Sequence, residues 1–363
     1  MANDRIFYAL QALGIEKAGD IGFDSDGLPK ASAISGSGQI AWMKGVQSVG
    51  ITTNFNLEQI FELGQLAIFE NLEGIPEIEV TVEKVIDGNG LLYLTACPSG
   101  AVDIINASKN MANLYLSIYP DTGTSASGTA EASVFCSGMI PTQISYTFPV
   151  EGNATESVTF AGNDKSWTSA RSKGFAAFPI LTADVLDRPA PTVTRRQHFI
   201  APTGATYAYA VTTSGTFIPA EIVNAVGYGK VQNINVSAAL TRENVFELGR
   251  YRPYNKFTTY PVAITCEFQV LSTKGDKVNA KGSEKNLSDQ AIHLSFQNSN
   301  TTTGVLTPGS YLSIDLGQKN KLTSVNYTGG DAGGGNATMT FSYQGFNYFK
   351  VTGGGTATLS ASG

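Results

Sequence analysis

The feature that most limits the fold of this chain is an internal repeat. Residues 46–76 (VQSVGITTNFNLEQIFELGQLAIFENLEGIP) align without a gap to residues 231–261 (VQNINVSAALTRENVFELGRYRPYNKFTTYP), and eight of the 31 pairs are identical. The tetrapeptide FELG is shared, and hydrophobic positions recur at the same spacing. Self-similarity at a fixed separation is typical of a repeated structural unit. The sequence therefore predicts two related halves.

A second match follows the first one in each half. The tetrapeptide GNAT occurs at residues 152–155 and again at residues 335–338, and each copy is followed closely by Thr-Phe. The separation is 183 residues here and 185 residues in the first match. We therefore expect the two halves to differ by small insertions or deletions.

The repeated segment also has a local pattern. Hydrophobic residues alternate with polar or small residues at its start, which indicates a half-buried strand. Asn56 and Thr241 are good helix N-caps, and Gly64 and Gly249 stand where a short helix would end with a positive φ. A second strand would begin at the proline that closes each copy. The residues predicted to form the core of the repeat are Val49, Ile51, Phe55, Phe61, Gly64, Pro76, Ile234, Val236, Leu240, Phe246, Gly249 and Pro261.

The whole chain is predicted to be mainly β, with two tandem related domains of the β-sandwich or barrel type, short helices and extended arms. A length of 363 residues suits two such domains. The predicted units are an N-terminal arm (1–45), a first β domain (46–165), a linker or arm (166–203) and a second β domain with a C-terminal tail (204–363). Further strands are predicted near 78–86, 91–97, 131–138, 142–149, 155–161 and 205–209, and helices near 7–13 and 102–113.

The chain is poor in charged residues and acidic overall. Charged residues make up 15% of the sequence, compared with roughly 25% in typical soluble domains. Large β proteins that bury both their cores and their subunit contacts often have such a composition. The formal net charge of −6 argues against a protein that reads nucleic-acid sequence, because such proteins carry a basic patch or stripe.

Cysteines and hydrophobic stretches restrict the setting of the protein. Cys97, Cys136 and Cys266 are far apart and form no CxxC pair, which favours buried free thiols in a reducing cytoplasm over a zinc or redox site. The N-terminus lacks the pattern of a signal peptide, and no apolar stretch is long enough for a transmembrane helix. No contact with a membrane is predicted.

No set of residues has the pattern of a catalytic or cofactor site. His198 and His293 have no motif partner, and the glycine-rich tract 329–335 lacks the GK[ST] of a phosphate loop. Glu77, Glu79 and Glu83 alternate with apolar residues in one strand, which favours a solvated or functional acidic face over a catalytic pair. We therefore predict no catalytic residue, no metal site, no cofactor and no enzyme activity.

The blocks VQSVGITTNF, LEQIFELGQL and IPEIEVTVEKVIDG resemble the tail tube proteins of long-tailed bacteriophages. The resemblance covers residues 40–90 and, less closely, 225–272. It implies a β subunit that stacks in rings around a lumen. In versions with two tube-like domains in one chain, three chains give a pseudo-sixfold ring. It also implies synthesis in the host cytoplasm, a final place in the virion tail, and contacts with the tail sheath, baseplate and terminator proteins.

The same resemblance implies a role for the acidic residues. The lumen would let DNA pass without sequence-specific binding, and an acidic wall would repel the phosphates that otherwise make nucleic acid stick. The candidate lumen-facing residues are Glu77, Glu79 and Glu83 in the first half and Glu267 in the second. The second half departs from the pattern, since its strand VAITCEFQV keeps one glutamate and its apolar phase slips by one residue after Pro261.

Three alternatives stay open at this point. Another phage component, such as a neck, baseplate or capsid-decorating protein, would form a ring or trimer that does not polymerise alone. A carbohydrate-binding or adhesin module would need an exposed aromatic platform. A hydrolase would lose turnover through one histidine or carboxylate substitution without a change in assembly.

Overall fold

The computed structural model describes about two thirds of the chain. The described residues are 11–17, 40–64, 66, 68–87, 90–97, 102–104, 111–119, 128–129, 132–169, 180–181, 193–200, 202, 216–227, 229–249, 253, 255–283, 285, 287–299, 306–330, 335–353 and 359–360. Within them the chain is mainly β, as the sequence predicts. No helix among these residues is long and apolar enough to cross a membrane.

The first half of the chain holds ten strands and one helix within the described residues. They are β1 (Gln11–Lys17), β2 (Ile40–Trp42), β3 (Val46–Phe61), β4 (Ile68–Val85), helix α1 (Leu92–Ala96), β5 (Val102–Asp103), β6 (Ala112–Ile118), β7 (Gly128–Thr129), β8 (Ala132–Pro149), β9 (Thr155–Gly162) and β10 (Asp164–Ser169).

The rest of the described chain is also mainly β. Its elements are β11 (Ile180–Leu181), a 3-10 turn (Arg196–His198), helix α2 (Ala220–Val226), β12 (Val231–Ala239), β13 (Arg242–Val245), β14 (Asn255–Thr258), β15 (Ala263–Leu271), β16 (His293–Ser299), β17 (Leu306–Asp315), β18 (Lys321–Thr328), β19 (Thr338–Phe346), β20 (Lys350–Thr352) and β21 (Leu359–Ser360).

Eight strands from both halves form one antiparallel sheet, called the long sheet below. Its order is β3–β4–β9–β8–β12–β15–β19–β18. Only the second part of β8 (140–149) belongs to it, because the first part (132–139) pairs with β6 and β10 instead. Among the described residues the long sheet does not close on itself, since its order begins at β3 and ends at β18.

The two halves of the long sheet match in strand order and in register. The order β3–β4–β9–β8 in the first half corresponds to β12–β15–β19–β18 in the second. Corresponding residues differ by 185 between β3 and β12, by 186 between β4 and β15, by 183 between β9 and β19, and by 181 between β8 and β18. With these offsets the pairs of 46–54 with β4, and those of β4 with β9 and β9 with β8, recur in the second half.

The irregularities of the sheet recur as well. The register shift at Val46/Ser48 corresponds to the shift at Val231/Asn233. The shift at Pro141/Gln143 corresponds to the one at Leu322/Ser324. The two sets of four strands therefore match in the positions of these β-bulges as well as in strand order.

A second layer of strands packs on one face of the long sheet in each half. In the first half, side chains of β1, β6 and β8 meet those of β3 and β4 around a cavity of about 10 Å³. At the junction between the halves, Phe296 of β16 in the second half stacks on Phe148 at the end of β8, with ring centroids 3.9 Å apart. A contiguous hydrophobic core joins both halves, as expected for sheets that bury one face each.

Several elements predicted from local pattern are confirmed. The strands expected near 78–86, 142–149 and 155–161 lie in β4, β8 and β9. The strand expected near 131–138 is the first part of the same β8. The strand expected near 205–209 lies outside the described residues.

Two local predictions are wrong because long-range contacts decide the structure, and a third lies mostly outside the described residues. Residues 92–96 form helix α1 and not a strand, and the buried Glu156 carboxylate accepts hydrogen bonds from the Leu92 and Tyr93 N–H groups at 2.6 and 3.1 Å. Such capping fixes a helix start. The helix predicted near 7–13 is strand β1 from Gln11 onward, paired with β6. The helix predicted near 102–113 is bounded by β5 at 102–103 and by β6 from Ala112, Ile104 is helical, and residues 105–110 lie outside the described residues, so the prediction stays untested there.

Parts of the predicted arms are also integral to the fold. β1 and β2, from the predicted N-terminal arm, pair with each other and with β6. β10 begins before the predicted linker and pairs with β8. Hydrogen bonds to neighbouring strands fix both segments, and the local composition does not predict this pairing. The domain boundaries themselves stay predictions.

One buried polar cluster distinguishes the first half from the second. Besides the two helix N–H groups, Glu156 accepts a hydrogen bond from the Tyr146 hydroxyl at 2.8 Å. Burial raises the pKa of the Glu156 carboxyl, and the hydrogen bonds and Lys84 oppose that rise. With the offset of 183, the counterpart of Glu156 is the buried Met339. The halves share a backbone plan but not all of their core chemistry.

Candidate functional site: a polar face, two open edges and two arms

The face of the long sheet opposite the hydrophobic core is lined by small polar side chains. On β4, Ile78, Val80 and Val82 are buried, and the residues between them are exposed. Directly paired residues in an antiparallel sheet share a face, so the register extends this alternation over all eight strands. We call the central part of the outward set the polar face, which leaves out the strand-end residues Asn54, Val85, Pro149, Ala239, Ala263, Leu271, Lys321 and Phe346. Its residues are Ser48, Gly50, Thr52, Glu77, Glu79, Thr81, Glu83, Gln143, Ser145, Thr147, Thr155, Ser157, Thr159, Ala161, Asn233, Asn235, Ser237, Thr265, Glu267, Gln269, Ser324, Asn326, Thr328, Thr338, Thr340, Ser342 and Gln344.

All four glutamates singled out from the sequence lie on the polar face. Glu77, Glu79 and Glu83 follow one another along β4 and are exposed, and Glu267 lies on β15, where it accepts a hydrogen bond from the Ser342 hydroxyl at 3.3 Å. The segment 46–83 contains no lysine or arginine. The described part of this face is therefore acidic or neutral across its centre, and Lys321 lies at one end of the outermost strand, near Asp289.

The shift of acidic positions between the halves has a simple geometric cause. The offset is 185 on β3 and 186 on β4, so the second half has one extra residue between the corresponding strands. Glu267 is therefore the counterpart of Thr81 and not of any glutamate of β4. The slip in apolar phase noted after Pro261 is this inserted residue.

The residues predicted to form the core of the repeat divide into two groups. Ile234, Val236 and Leu240 are buried, and Val49 and Ile51 pack against the core from partly buried positions. Pro76 is also partly buried, within β4 and opposite Phe55. The prediction is wrong for six residues, which are exposed: Phe55, Phe61, Phe246, Gly64, Gly249 and Pro261.

The exposed group lies in two hairpins that extend beyond the sandwich. The short helix predicted after Asn56 is wrong, because β3 continues as a strand to Phe61 and returns as β4 from Ile68. In the second half β13 pairs with β14 in the same place. Gly64 and Gly249 have φ of 103° and 87°, so the prediction of positive φ is confirmed, at hairpin turns and not at helix ends.

We call these hairpins the first arm (55–73) and the second arm (242–260). Sixteen large hydrophobic side chains are exposed among the described residues, and thirteen of them lie in the arms. Leu63 and Leu248, at the two tips, are fully exposed. Soluble monomers rarely expose apolar side chains in such a concentration, and clusters of this kind mark interaction surfaces. The shared FELG tetrapeptide was the signal for these tips, although its local pattern suggested a helix.

The two outermost strands of the long sheet are open. Among the described residues, β3 pairs with β4 and β18 pairs with β19, and no strand pairs with the other side of either one. An open strand edge is a template for pairing with another chain unless it is protected. Nothing in the local sequence pattern marks these two strands as edges, because edge position depends on the order of strands in space.

The histidines and cysteines give no support to a reaction centre. His198 is buried, its Nδ1 accepts a hydrogen bond from the Arg195 N–H at 2.9 Å, and burial and the Arg195 charge lower its pKa. Burial raises the pKa of Cys97 to about 12 and that of Cys136 to about 11, so these thiols stay protonated at neutral pH. In the part of the chain that the structure describes, no three His, Cys, Asp or Glu residues are grouped to hold a metal ion.

Comparisons with known proteins give distant structural likenesses and no sequence relative. No protein-family profile and no curated protein matches the sequence. Among solved structures, a chain from the 6-fold symmetrised cryo-EM structure of the anti-feeding prophage (AFP) baseplate is similar over 47% of this chain and 100% of its own length. The sequence identity is 10% and the TM-score is 0.31. A TM-score this low does not establish a common fold, so the function has to be inferred from the strand order, the open edges and the chemistry of the exposed faces.

Proposed function

We propose that this chain is a structural subunit of a phage tail tube, in which three copies close into a ring and rings stack around a channel for DNA. The observation that carries the proposal is the tandem sheet. Two halves of the same plan are joined side by side through β8 and β12, and the strands that correspond to β12 and β8, namely β3 and β18, are open at the two ends. On this proposal the protein is not an enzyme, and its main partner is itself.

The junction between β8 and β12 supplies the template for ring closure. Seven residue pairs join these strands, from Asn233↔Pro149 to Ala239↔Gln143. When β18 of one copy takes the place of β8, and β3 of the next copy takes the place of β12, the offsets set the register of the new junction. Tyr327 then lies opposite Ile51, and Val325 lies opposite Thr53. A head-to-tail contact of this kind generates a closed ring when its rotation closes.

Burial supports the same junction. Tyr146 and Val236 face each other across the β8–β12 junction and are both 0% exposed. Their counterparts, Tyr327 and Ile51, point to the same side of the sheet, but Tyr327 is 52% exposed. Pairing of β18 with β3 would bury this aromatic ring as its counterpart is buried, which adds a hydrophobic contribution to the backbone hydrogen bonds.

The two faces of the sheet suggest which side lines the channel. The second layer of strands covers the apolar face, so in a closed ring of long sheets the polar face is the one left to surround a hole. Small hydroxyl and amide side chains with four acidic positions would keep that wall hydrated. A wall whose described centre carries no basic side chain releases few counterions from DNA and therefore gives DNA little affinity.

Electron microscopy of the purified full-length chain tests this proposal. We expect rings with threefold or pseudo-sixfold end views at moderate concentration, and hollow tubes at high concentration. Native mass spectrometry should show a species of three times the 38.3 kDa chain mass. Compact monomers at every concentration, or closed rings with another number of chains, would contradict the proposal.

The acidity of the polar face gives a second prediction. Replacing Glu77, Glu79 and Glu83 by lysine should turn a surface that does not retain DNA into one that does. Binding of a short duplex, measured by fluorescence anisotropy, should appear in the variant and weaken steeply as salt is raised, because it rests on phosphate contacts.

A matched control places the same charge change elsewhere. Glu151 and Asp276 lie in loops and Glu243 lies in the second arm, all outside the polar face, and their replacement by lysine alters the net charge of the chain equally. This control should bind DNA much more weakly than the polar-face variant. Equal binding by both variants would show that net charge alone decides, and that the polar face has no special exposure to DNA.

A further inference from the structure

The tips of the two arms carry the same pair of residues in the same setting. Glu62-Leu63 and Glu247-Leu248 each precede a glycine with positive φ. Leu63 is 102% exposed and Leu248 is 104% exposed, relative to a free residue. An exposed leucine at the tip of a hairpin is unfavourable in water, and this chain has two of them. It points to a partner surface that receives an apolar side chain beside a carboxylate.

A cavity with the complementary chemistry lies at the opposite end of the long sheet. Its volume is about 60 Å³, enough for several water molecules or a branched aliphatic side chain. Apolar walls are provided by Phe148, Val231, Ile234 and Phe296. Arg195 and Arg196 also line it, and both are exposed.

The position of the cavity follows from the topology. It lies at the start of β12, and the second arm follows the end of the same strand. At roughly 3.3 Å per residue, the nine residues of β12 separate the two features by about 30 Å. Arms project from one end of the sheet, and the cavity opens at the other end.

We propose that an arm tip of one copy docks into this cavity of a second copy in the adjacent ring, with the leucine in the apolar pocket and the glutamate beside Arg195 and Arg196. The partner is thus a second copy of this chain, and the inference rests on the proposed ring. A contact between opposite ends of the same molecule is head-to-tail and does not close, so it generates an open filament along the ring axis.

Charge favours the first arm as this occupant, and exposed apolar area favours both arms. The first arm and the strands around it, residues 46–83, contain seven glutamates and no lysine or arginine, so they are attracted to the arginines at the cavity. Desolvated charge pairs of this kind fix orientation and register between partners. The exposed leucine would become a central anchor in a pocket, which is where interfaces concentrate their binding energy.

The numbers of arms and cavities agree with the pseudo-symmetry of the ring. Each chain has two arms and, beside the β8–β12 junction, the cavity described above. The corresponding place beside a β18–β3 junction would be formed by two neighbouring chains. Each ring of three chains therefore offers six arm tips and six junctions, three of them within a chain and three between chains.

A charge exchange tests the docking. The double variant Glu62→Lys with Glu247→Lys, and the double variant Arg195→Glu with Arg196→Glu, should each form rings but raise the concentration needed for tubes by at least about tenfold, the loss expected when an interface anchor is removed. The quadruple variant, with the charges exchanged, should recover tubes. Ring mass is followed by native mass spectrometry, tube length by negative-stain microscopy, and folding by circular dichroism.

A second pair of variants keeps the test independent of the arginines. Leu63→Asp with Leu248→Asp should also give rings without tubes, whereas Leu63→Met with Leu248→Met should keep tubes. If rings form and tubes are unaffected by the aspartates, or if the charge exchange gives no recovery, the docking is wrong while the ring proposal stands. If the unmodified chain gives no rings, the proposed function fails first.

Discussion

Replacing Tyr327 by proline is expected to abolish ring formation and to leave the chain folded. Tyr327 lies on the open strand β18, opposite Met339 of β19 on the side of the hydrophobic core. Proline has no N–H group and its ring projects from the backbone where a partner strand would pair, so it is tolerated at an open edge but prevents further pairing. Size-exclusion chromatography with light scattering should show a monomer of 38.3 kDa.

The choice of position 327 follows from the internal junction. The Val150 N–H donates to the Gln232 carbonyl and the Leu240 N–H donates to the Thr142 carbonyl. Hydrogen-bonding groups alternate from one side of a strand to the other, so the even-numbered residues of β8 and β12 point across the junction. The offset of 181 transfers this pattern from β8 to β18, where the backbone groups of Val325 and Tyr327 point to the open edge. The offset of 185 transfers it from β12 to β3, where the backbone groups of Ile51 and Thr53 point to the open edge.

Two controls make this prediction sharp. Tyr327→Phe keeps the backbone N–H group and most of the apolar ring, and should still form rings. Thr53→Pro blocks the other edge and should also give monomers. A mixture of the two proline variants has one good edge of each kind, so it should give dimers of two different chains and no closed ring. Rings in either proline variant would show that the junction is not formed by these strands.

The second large effect concerns stability and separates the core from the arms. Phe341→Ala should lower the free energy of unfolding by about 3–5 kcal/mol, since Phe341 is 0% exposed in the centre of the core. Phe61→Ala and Phe246→Ala should change it by less than about 0.5 kcal/mol, because both side chains are largely exposed in the arms. Chemical denaturation of the monomer, followed by circular dichroism, measures all three.

The measurement is best made in the Tyr327→Pro background. Assembly stabilises the folded state by mass action and makes the apparent stability depend on concentration, and a monomeric background removes this contribution. A loss of several kcal/mol for the arm variants in that background would mean that the arms fold back onto their own chain. Equal losses for Phe341 and Phe61 would contradict the division into core and arms.

These phenylalanines also show how far the sequence could predict the structure. The alternation of apolar residues correctly predicted strands at Val49 and Ile51, and both segments that the repeat pairs begin with a strand, β3 and β12. Phe61 falls in the segment that the sequence predicts as a short helix with an apolar side, and its predicted core position is wrong because the sequence does not show where strand β3 leaves the sandwich. That boundary is set by the second layer, which packs on β3 only near its start.

The face shared by the acidic residues was easier to predict from the sequence than the burial of the apolar residues. An alternating strand fixes which residues share a face, so Glu77, Glu79 and Glu83 could be grouped from the sequence. The place of Glu267 needed the register of β12 with β15. The open edges and the cavity were not predictable, because they depend on which strands are neighbours in space and on segments far apart in the chain, such as Phe148 and Phe296.

The covalent link between the halves has a kinetic consequence. Because β8 and β12 belong to one chain, their junction forms at an effective concentration on the order of millimolar, whatever the dilution of the protein. Half of the six strand junctions in the proposed ring would then form within a chain, without an encounter between two chains. The link would also fix the order of the two halves around the ring, so that a change in one half appears at every second position and never at adjacent ones. Glu156 and its counterpart Met339 are such a pair, so a buried polar position and a buried apolar position would alternate around the proposed ring.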